Sequence, residues 1–98
     1  MYELKKYDEA IKYWKKSIEL NPQYYFGYNN LGNVFLKKNE LKEALNCYNK
    51  AIEIKADYHE AYHNRGNVLS KMNDSQNAIK SFDKAIQIKN DYLPAIKS

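Results

Sequence analysis

Thirty-four residues separate every position of YNNLGNVFLKKNELKEALNCYNKAIEIKADY (28–58) from its counterpart in YHNRGNVLSKMNDSQNAIKSFDKAIQIKNDY (62–92), without a gap. Gly32 falls on Gly66, Asn33 on Asn67, Val34 on Val68, Ala44 on Ala78, and Ala51-Ile52 on Ala85-Ile86. The same step backwards brings in YDEAIKYWKKSIELNPQY (7–24), with Ala10, Ile11, Trp14 and Ile18 in register. A fixed period of this length marks a stacked array, in which one supersecondary unit recurs and neighbours bury each other's apolar faces.

Within a unit the apolar spacing is helical. Ala44, Leu45, Tyr48, Ala51 and Ile52 follow one another at steps that form one stripe of a 3.6-residue period. Ala78, Ile79, Phe82, Ala85 and Ile86 repeat that stripe. The first half of the unit carries a shorter one, Tyr28, Leu31, Gly32 and Phe35. A glycine inside a helix costs roughly 1 kcal/mol against alanine. Its recurrence as Gly66 predicts a close helix–helix approach in which a Cβ would clash. Lys38-Asn39-Glu40 and Asn73-Asp74-Ser75 supply polar turns between the halves. No segment sustains the alternation of a strand, so the expected fold is all-α.

These residues resemble the tetratricopeptide repeat (TPR), a helix–turn–helix unit with a sparse W-x2-L-G-x2-Y…A-x3-F…A…P pattern. Tyr28, Leu31, Gly32, Phe35, Ala44, Tyr48 and Ala51 fill it in one unit, and Tyr62, Gly66, Leu69, Ala78, Phe82 and Ala85 in the next. The resemblance implies a right-handed α-solenoid of antiparallel helix pairs with about 2.5–3 repeats. In its frame, residues 1–24 are the end of a first helix plus a second helix, 25–58 and 59–92 are complete repeats, and 93–98 start a further helix. Trp14 and Tyr13 then lie beside a missing partner helix, as in an excerpt of a longer array with end faces open to self-association. The pattern is broken at Arg65, where leucine is usual; an arginine stem covers apolar surface while its head reaches water. The closing proline survives only as Pro22, being Ala56 and Asn90 later.

The formal charge of +4 raises the question of nucleic acid. Bases outnumber acids by 5 to 4 in residues 1–24, again in 25–58 and again in 59–92, so the excess is spread over solvated helix faces. No nucleic-acid partner is expected. No apolar run reaches the ~20 residues of a membrane span, and MYELKKYDEA lacks the apolar core of a secretory signal. The single cysteine, Cys47, excludes an internal disulfide and a multi-cysteine zinc site, which together suggest a reducing, cytoplasmic setting.

One stretch invites a catalytic reading. HEAYH (59–63) matches the zinc-peptidase pattern H-E-x-x-H, and Gly66 extends the match. Such a site needs a third protein ligand and an open position for water. The third position of the longer motif is Leu69, no glutamate follows Glu60, and Asp83 belongs to a second helix. Gly66 is already the repeat's own glycine, and Glu60 follows Asp57 as an acid in a capped first turn would. The expectation is no catalytic residue, no metal and no cofactor.

The resemblance further implies that first helices line a concave groove receiving an extended peptide or a partner helix. Its positions here are Phe26, Asn29, Asn30, Asn33, Leu36 and Lys37, then Glu60, His63, Asn64, Asn67, Ser70 and Lys71. Asn30 and Asn64 are repeat equivalents, as are Asn33 and Asn67, similar to the ladders of superhelical TPR arrays with groove asparagines. A carboxamide both donates and accepts, which suits the backbone of an extended peptide. Two alternatives stand beside this: bonds between adjacent helices, and composition alone, since the chain holds twelve asparagines. Lys37, Lys71, Glu60 and His63 would set the groove's charge preference. The acidic-tail clamp of chaperone adaptors is not expected, because its basic positions fall on Asn29, Pro94 and Ser98. The reading is a protein-interaction scaffold, with a self-assembling structural fragment as the main alternative and an RNA-binding array or a zinc hydrolase as remote ones.

Overall fold

The structure, a computed structural model, describes the backbone of residues 2–91 and the side chains of residues 6–89. Five helices follow in order: α1 (Tyr2–Leu20), α2 (Tyr25–Lys37), α3 (Leu41–Ile54), α4 (His59–Lys71) and α5 (Ser75–Asp91). The described residues contain no strand. Each helix packs on its neighbours along the chain, and α2 also touches α4. The result is an all-α helical-repeat solenoid.

The turns between α2 and α3 and between α4 and α5 have one design. Asn39 and Asn73, repeat equivalents, both take a φ of 66°. In this left-handed region asparagine is better tolerated than most residues with a Cβ. Around them the N–H of Asn39 bonds to Leu36 O at 2.9 Å and that of Glu40 to Phe35 O at 2.9 Å. Asn73 to Ser70 O (3.0 Å) and Asp74 to Leu69 O (2.8 Å) repeat the pair. This is the Schellman arrangement, which satisfies the last carbonyls of a helix and stops it. A turn of three residues then returns the chain against the helix it has left.

The second helices carry the core. Ala44, Tyr48 and Ala51 of α3 are wholly buried, with Leu31, Phe35, Cys47 and Val68 around them. Ile11, Trp14 and Ile18 close that cluster from α1. The close approach read from the glycines is present: a Cβ on Gly32 would lie 2.7 Å from the Tyr48 ring, and one on Gly66 2.7 Å from the Phe82 ring. Between repeats, Tyr58 and Ala61 pack on Ala51, joined by Tyr25, Tyr28 and Ile52.

Several expectations are corrected. Helix α1 runs unbroken from Tyr2 to Leu20, so no separate first-helix remnant is set off before it. The residues standing where Lys38-Asn39-Glu40 stand later are Leu4-Lys5-Lys6, all good helix formers. Ser75 opens α5 instead of closing the turn. Ile79 and Ile86 are exposed (57 % and 58 %), although Leu45 and Ile52 at the same places of α3 are half-buried. Helix α4 covers that face of α3, and among the described residues no helix covers it on α5. Leu36, read as a groove position, packs against the core. Tyr58 holds the N-cap position of α4 with no side-chain capping bond of its own, and Asp57 pairs with Lys55 at 2.9 Å. Residues 93–98, with Pro94 and Ser98, lie outside the described residues.

Candidate functional site

Helices α2, α4 and α5 enclose a cleft of about 750 Å³. From α2 come Phe26, Asn29, Asn30 and Asn33, and from α4 His59, Glu60, His63 and Asn64. Phe82, Ala85, Ile86 and Lys89 of α5 form the remaining wall. Seven of the ten residues read from the sequence as groove-lining therefore meet here. Lys37, Asn67 and Lys71 do not line it. Lys37 and Lys71 sit exposed in the last turns of α2 and α4, where a cation complements the helix dipole.

The asparagines divide by what they bond. Asn29 is only 5 % exposed, and its Oδ1 accepts from Asn64 Nδ2 at 3.0 Å, tying α2 to α4. Asn33 Oδ1 accepts from the Tyr48 hydroxyl, tying α2 to α3. This second bond cannot recur one repeat on, because Phe82 stands in place of Tyr48 and has no hydroxyl to donate to Asn67. Asn30 and Asn67 make no side-chain hydrogen bond among the described residues. The reading as bonds between helices thus holds for Asn29 and Asn33, and for one donor of Asn64.

Two apolar walls flank this polar floor. Phe26 is 47 % exposed and belongs to an aromatic cluster, its ring 6.1 Å from Trp14 and 6.0 Å from Tyr24. Across the cleft, His63 lies against Phe82 with centroids 5.4 Å apart and planes tilted by 60°. Among the described residues, the Tyr58 hydroxyl is buried without a hydrogen-bonding partner. Burial, and then the Glu60 carboxylate, push its pKa up to about 12; Asn29 and Glu60 are near enough to affect its ionisation but not placed to bond it.

His59, Phe82, Ala85, Ile86 and Lys89 were not read as site residues. A signal for four of them was available: they stand one period after Tyr48, Ala51, Ile52 and Lys55. Of those α3 positions Ala51 and Ile52 serve the packing of Tyr58 and Ala61, and of their α5 equivalents Ile86 is exposed where no described helix follows.

The HEAYH residues His59, Glu60 and His63 do share the cleft. Among the described residues no three His, Cys, Asp or Glu side chains are gathered as metal ligands. Cys47 is buried, and desolvation followed by the nearby Glu43 pushes its thiol up to about 12. No helix of the described residues is long and apolar enough to cross a membrane.

The TPR repeat model matches residues 1–39 and 32–73, and the tetratricopeptide repeat model matches residues 59–92. The chain belongs to the tetratricopeptide-repeat family. Two solved structures of MamA superpose on it with TM-scores of 0.88 and 0.84, at 27 % and 26 % identity over 95 % and 99 % of this chain. The chain spans about half of their length, 54 % and 53 %. YrrB, described as a TPR protein with an unusual peptide-binding site, superposes with a TM-score of 0.74 at 33 % identity, over 76 % of this chain and 39 % of its own. No curated protein matches the sequence. TPR repeats generally mediate protein–protein interactions, and among the described residues α2–α3 and α4–α5 are helix pairs of this kind.

Proposed function

We propose that this TPR chain is a non-catalytic interaction scaffold whose cleft holds an extended peptide or a helix of another protein. The observation that carries the reading is the unspent amide of Asn30 beside the half-spent amide of Asn64, between the walls of Phe26 and of Phe82, Ala85 and Ile86. Free carboxamides suit a peptide backbone, and the flanking aromatic and aliphatic walls suit an apolar side chain. The peptide-binding site of the structurally similar YrrB supports the same class of ligand. Glu60, His59, His63 and Lys89 at the rim set charge preference, a set that omits Lys37 and Lys71.

Peptides selected on the immobilised chain from a random display library test this. Asn30→Ala should weaken a selected peptide up to about tenfold, the worth of one hydrogen bond. Equal binding by both proteins, with chemical-shift changes lying outside the cleft, would remove the reading. A second reading, end-to-end self-association, rests on exposed Tyr13 and Leu20 on α1 and Ile79 and Ile86 on α5. A sedimentation coefficient constant across a hundredfold dilution would remove that one.

A further inference from the structure

Arg65 is not used by the groove. At about 100° per residue, it and Leu69 fall on the opposite flank of α4 from Glu60, His63 and Asn64. There α3, α4 and α5 meet in a second cleft, of about 310 Å³, that shares no residue with the first. Its polar lining is Arg65, Lys80, Asn49, Asn77 and Ser81, walled by Leu45 and Leu69.

The guanidinium does not simply snorkel to water, as the sequence suggests; it is fixed. Its Nε donates to Ser81 Oγ at 3.0 Å, its Nη1 donates to Asn49 Oδ1 at 2.9 Å, and its plane lies over the Tyr62 ring at 4.9 Å. Ser81 is itself only 2 % exposed. Two of the five N–H groups of an arginine are thereby used, and the other three have no partner among the described residues. Lys80 adds a second positive charge, and no carboxylate lines the cleft. Asp74 is turned to Asn77, accepting from its Nδ2 at 2.8 Å and from its backbone N–H at 3.4 Å.

The preceding repeat shows what these positions hold when they only pack. Leu31 stands at the place of Arg65 and Cys47 at that of Ser81, both in the buried core. Lys15, Glu43 and Asn46 stand where Asn49, Asn77 and Lys80 stand later. One step along the array, an apolar pair has become a hydrogen-bonded cation, the acid has become an amide, and the lysine has changed place, Asn49 standing for Lys15 and Lys80 for Asn46. Filling space requires none of these changes, and together they replace one lysine and one acid by two cations and no acid, which favours a negative ligand.

We propose that this cleft binds an oxyanion, a carboxylate or phosphate group, on the preorganised guanidinium of Arg65 with Lys80 beside it. The source is either a free small anion or an acidic side chain of a bound protein.

The test follows the Arg65 Nε–H signal by NMR while the 98-residue chain is titrated with inorganic phosphate, with sodium chloride at matched ionic strength, and with a blocked single-glutamate peptide. A saturating shift with phosphate and none with chloride is expected; saturation with the glutamate peptide alone would assign the site to protein carboxylates. Lys80→Gln should weaken binding about fivefold, as expected for one partly exposed charge. Arg65→Leu/Ser81→Cys, which restores the preceding repeat's pair, should stay folded and lose all saturation. A response that chloride reproduces, or one that persists unchanged in both variants, overturns the proposal.

Discussion

Gly32 and Gly66 occupy the same place in consecutive repeats, yet alanine should cost far more at the first. The static overlap does not separate them. A Cβ at Gly32 would meet Tyr48 at 2.7, 3.0 and 3.0 Å, and one at Gly66 would meet Phe82 at 2.7, 2.8 and 2.9 Å. What differs is whether the ring can yield. Tyr48 is wholly buried and its hydroxyl is held by Asn33, so moving the ring strains the core and breaks that bond. Phe82 is half-buried, borders the open cleft and has no such tether. Overpacking costs roughly 1–3 kcal/mol, a hydrogen bond about 1 kcal/mol, and glycine-to-alanine in a helix returns about 1 kcal/mol. Gly32→Ala therefore loses about 3 kcal/mol, and Gly66→Ala, at the low end of overpacking, stays within about 1 kcal/mol of wild type. Urea denaturation followed by helical circular dichroism measures both, with an unchanged slope confirming two-state behaviour. The thermal midpoint should fall by at least ~12 °C for Gly32→Ala. Equal losses at the two sites would refute the argument that ring freedom sets the cost. Native stability for Gly32→Ala would refute the close approach itself.

Two further outcomes follow from the same core. Tyr48→Phe copies the next repeat's Phe82, deletes only the bond to Asn33, and should cost about 1 kcal/mol in the same denaturation. Cys47 and Tyr58 both have pKa values raised to about 12, from ordinary values of 9.0 and 10.0. The unfolded chain therefore loses these protons first, so stability is intact below pH 9 and falls as pH rises from 9 towards 12, by up to about 1.4 kcal/mol per pH unit for each group. Denaturation at pH 8, 10 and 11 measures this, and a flat profile would contradict it; native Cys47 should also resist thiol reagents at pH 8 until urea unfolds the chain.

The repeat frame was legible because packing acts at every period: the glycines, the alanines and the aromatic partner of each glycine follow from one contact made repeatedly. The turns were legible in place but not in mechanism. Asn39 reads as one more exposed asparagine until its φ of 66° shows that the residue is there for its tolerance of left-handed backbone. The site was half legible. First-helix positions could be assigned from the frame, but the α5 wall could not, because Ile79 and Ile86 carry the same letters as a buried stripe and are exposed only for want of a covering helix. Nor can letters alone show that Asn29 and Asn33 spend their amides on neighbouring helices while Asn30 does not.

Differences between repeats are therefore more informative about function than the positions that agree. Where the units agree at Gly32 and Gly66 or at Ala44 and Ala78, both residues serve the interior, whereas the shared Asn30 and Asn64 line the cleft. Where they differ, the residue has been released from packing and is free to take on chemistry. Tyr25, Phe26 and Asn29 become His59, Glu60 and His63, which gives the later helix a more polar face on the cleft. The resulting match to H-E-x-x-H has no third His, Cys, Asp or Glu gathered with it as a metal ligand among the described residues. By the same logic Leu31 and Cys47 becoming Arg65 and Ser81 is the more informative departure. It replaces a core pair, which random drift at an exposed position would not require, and it does so with hydrogen bonds already in place.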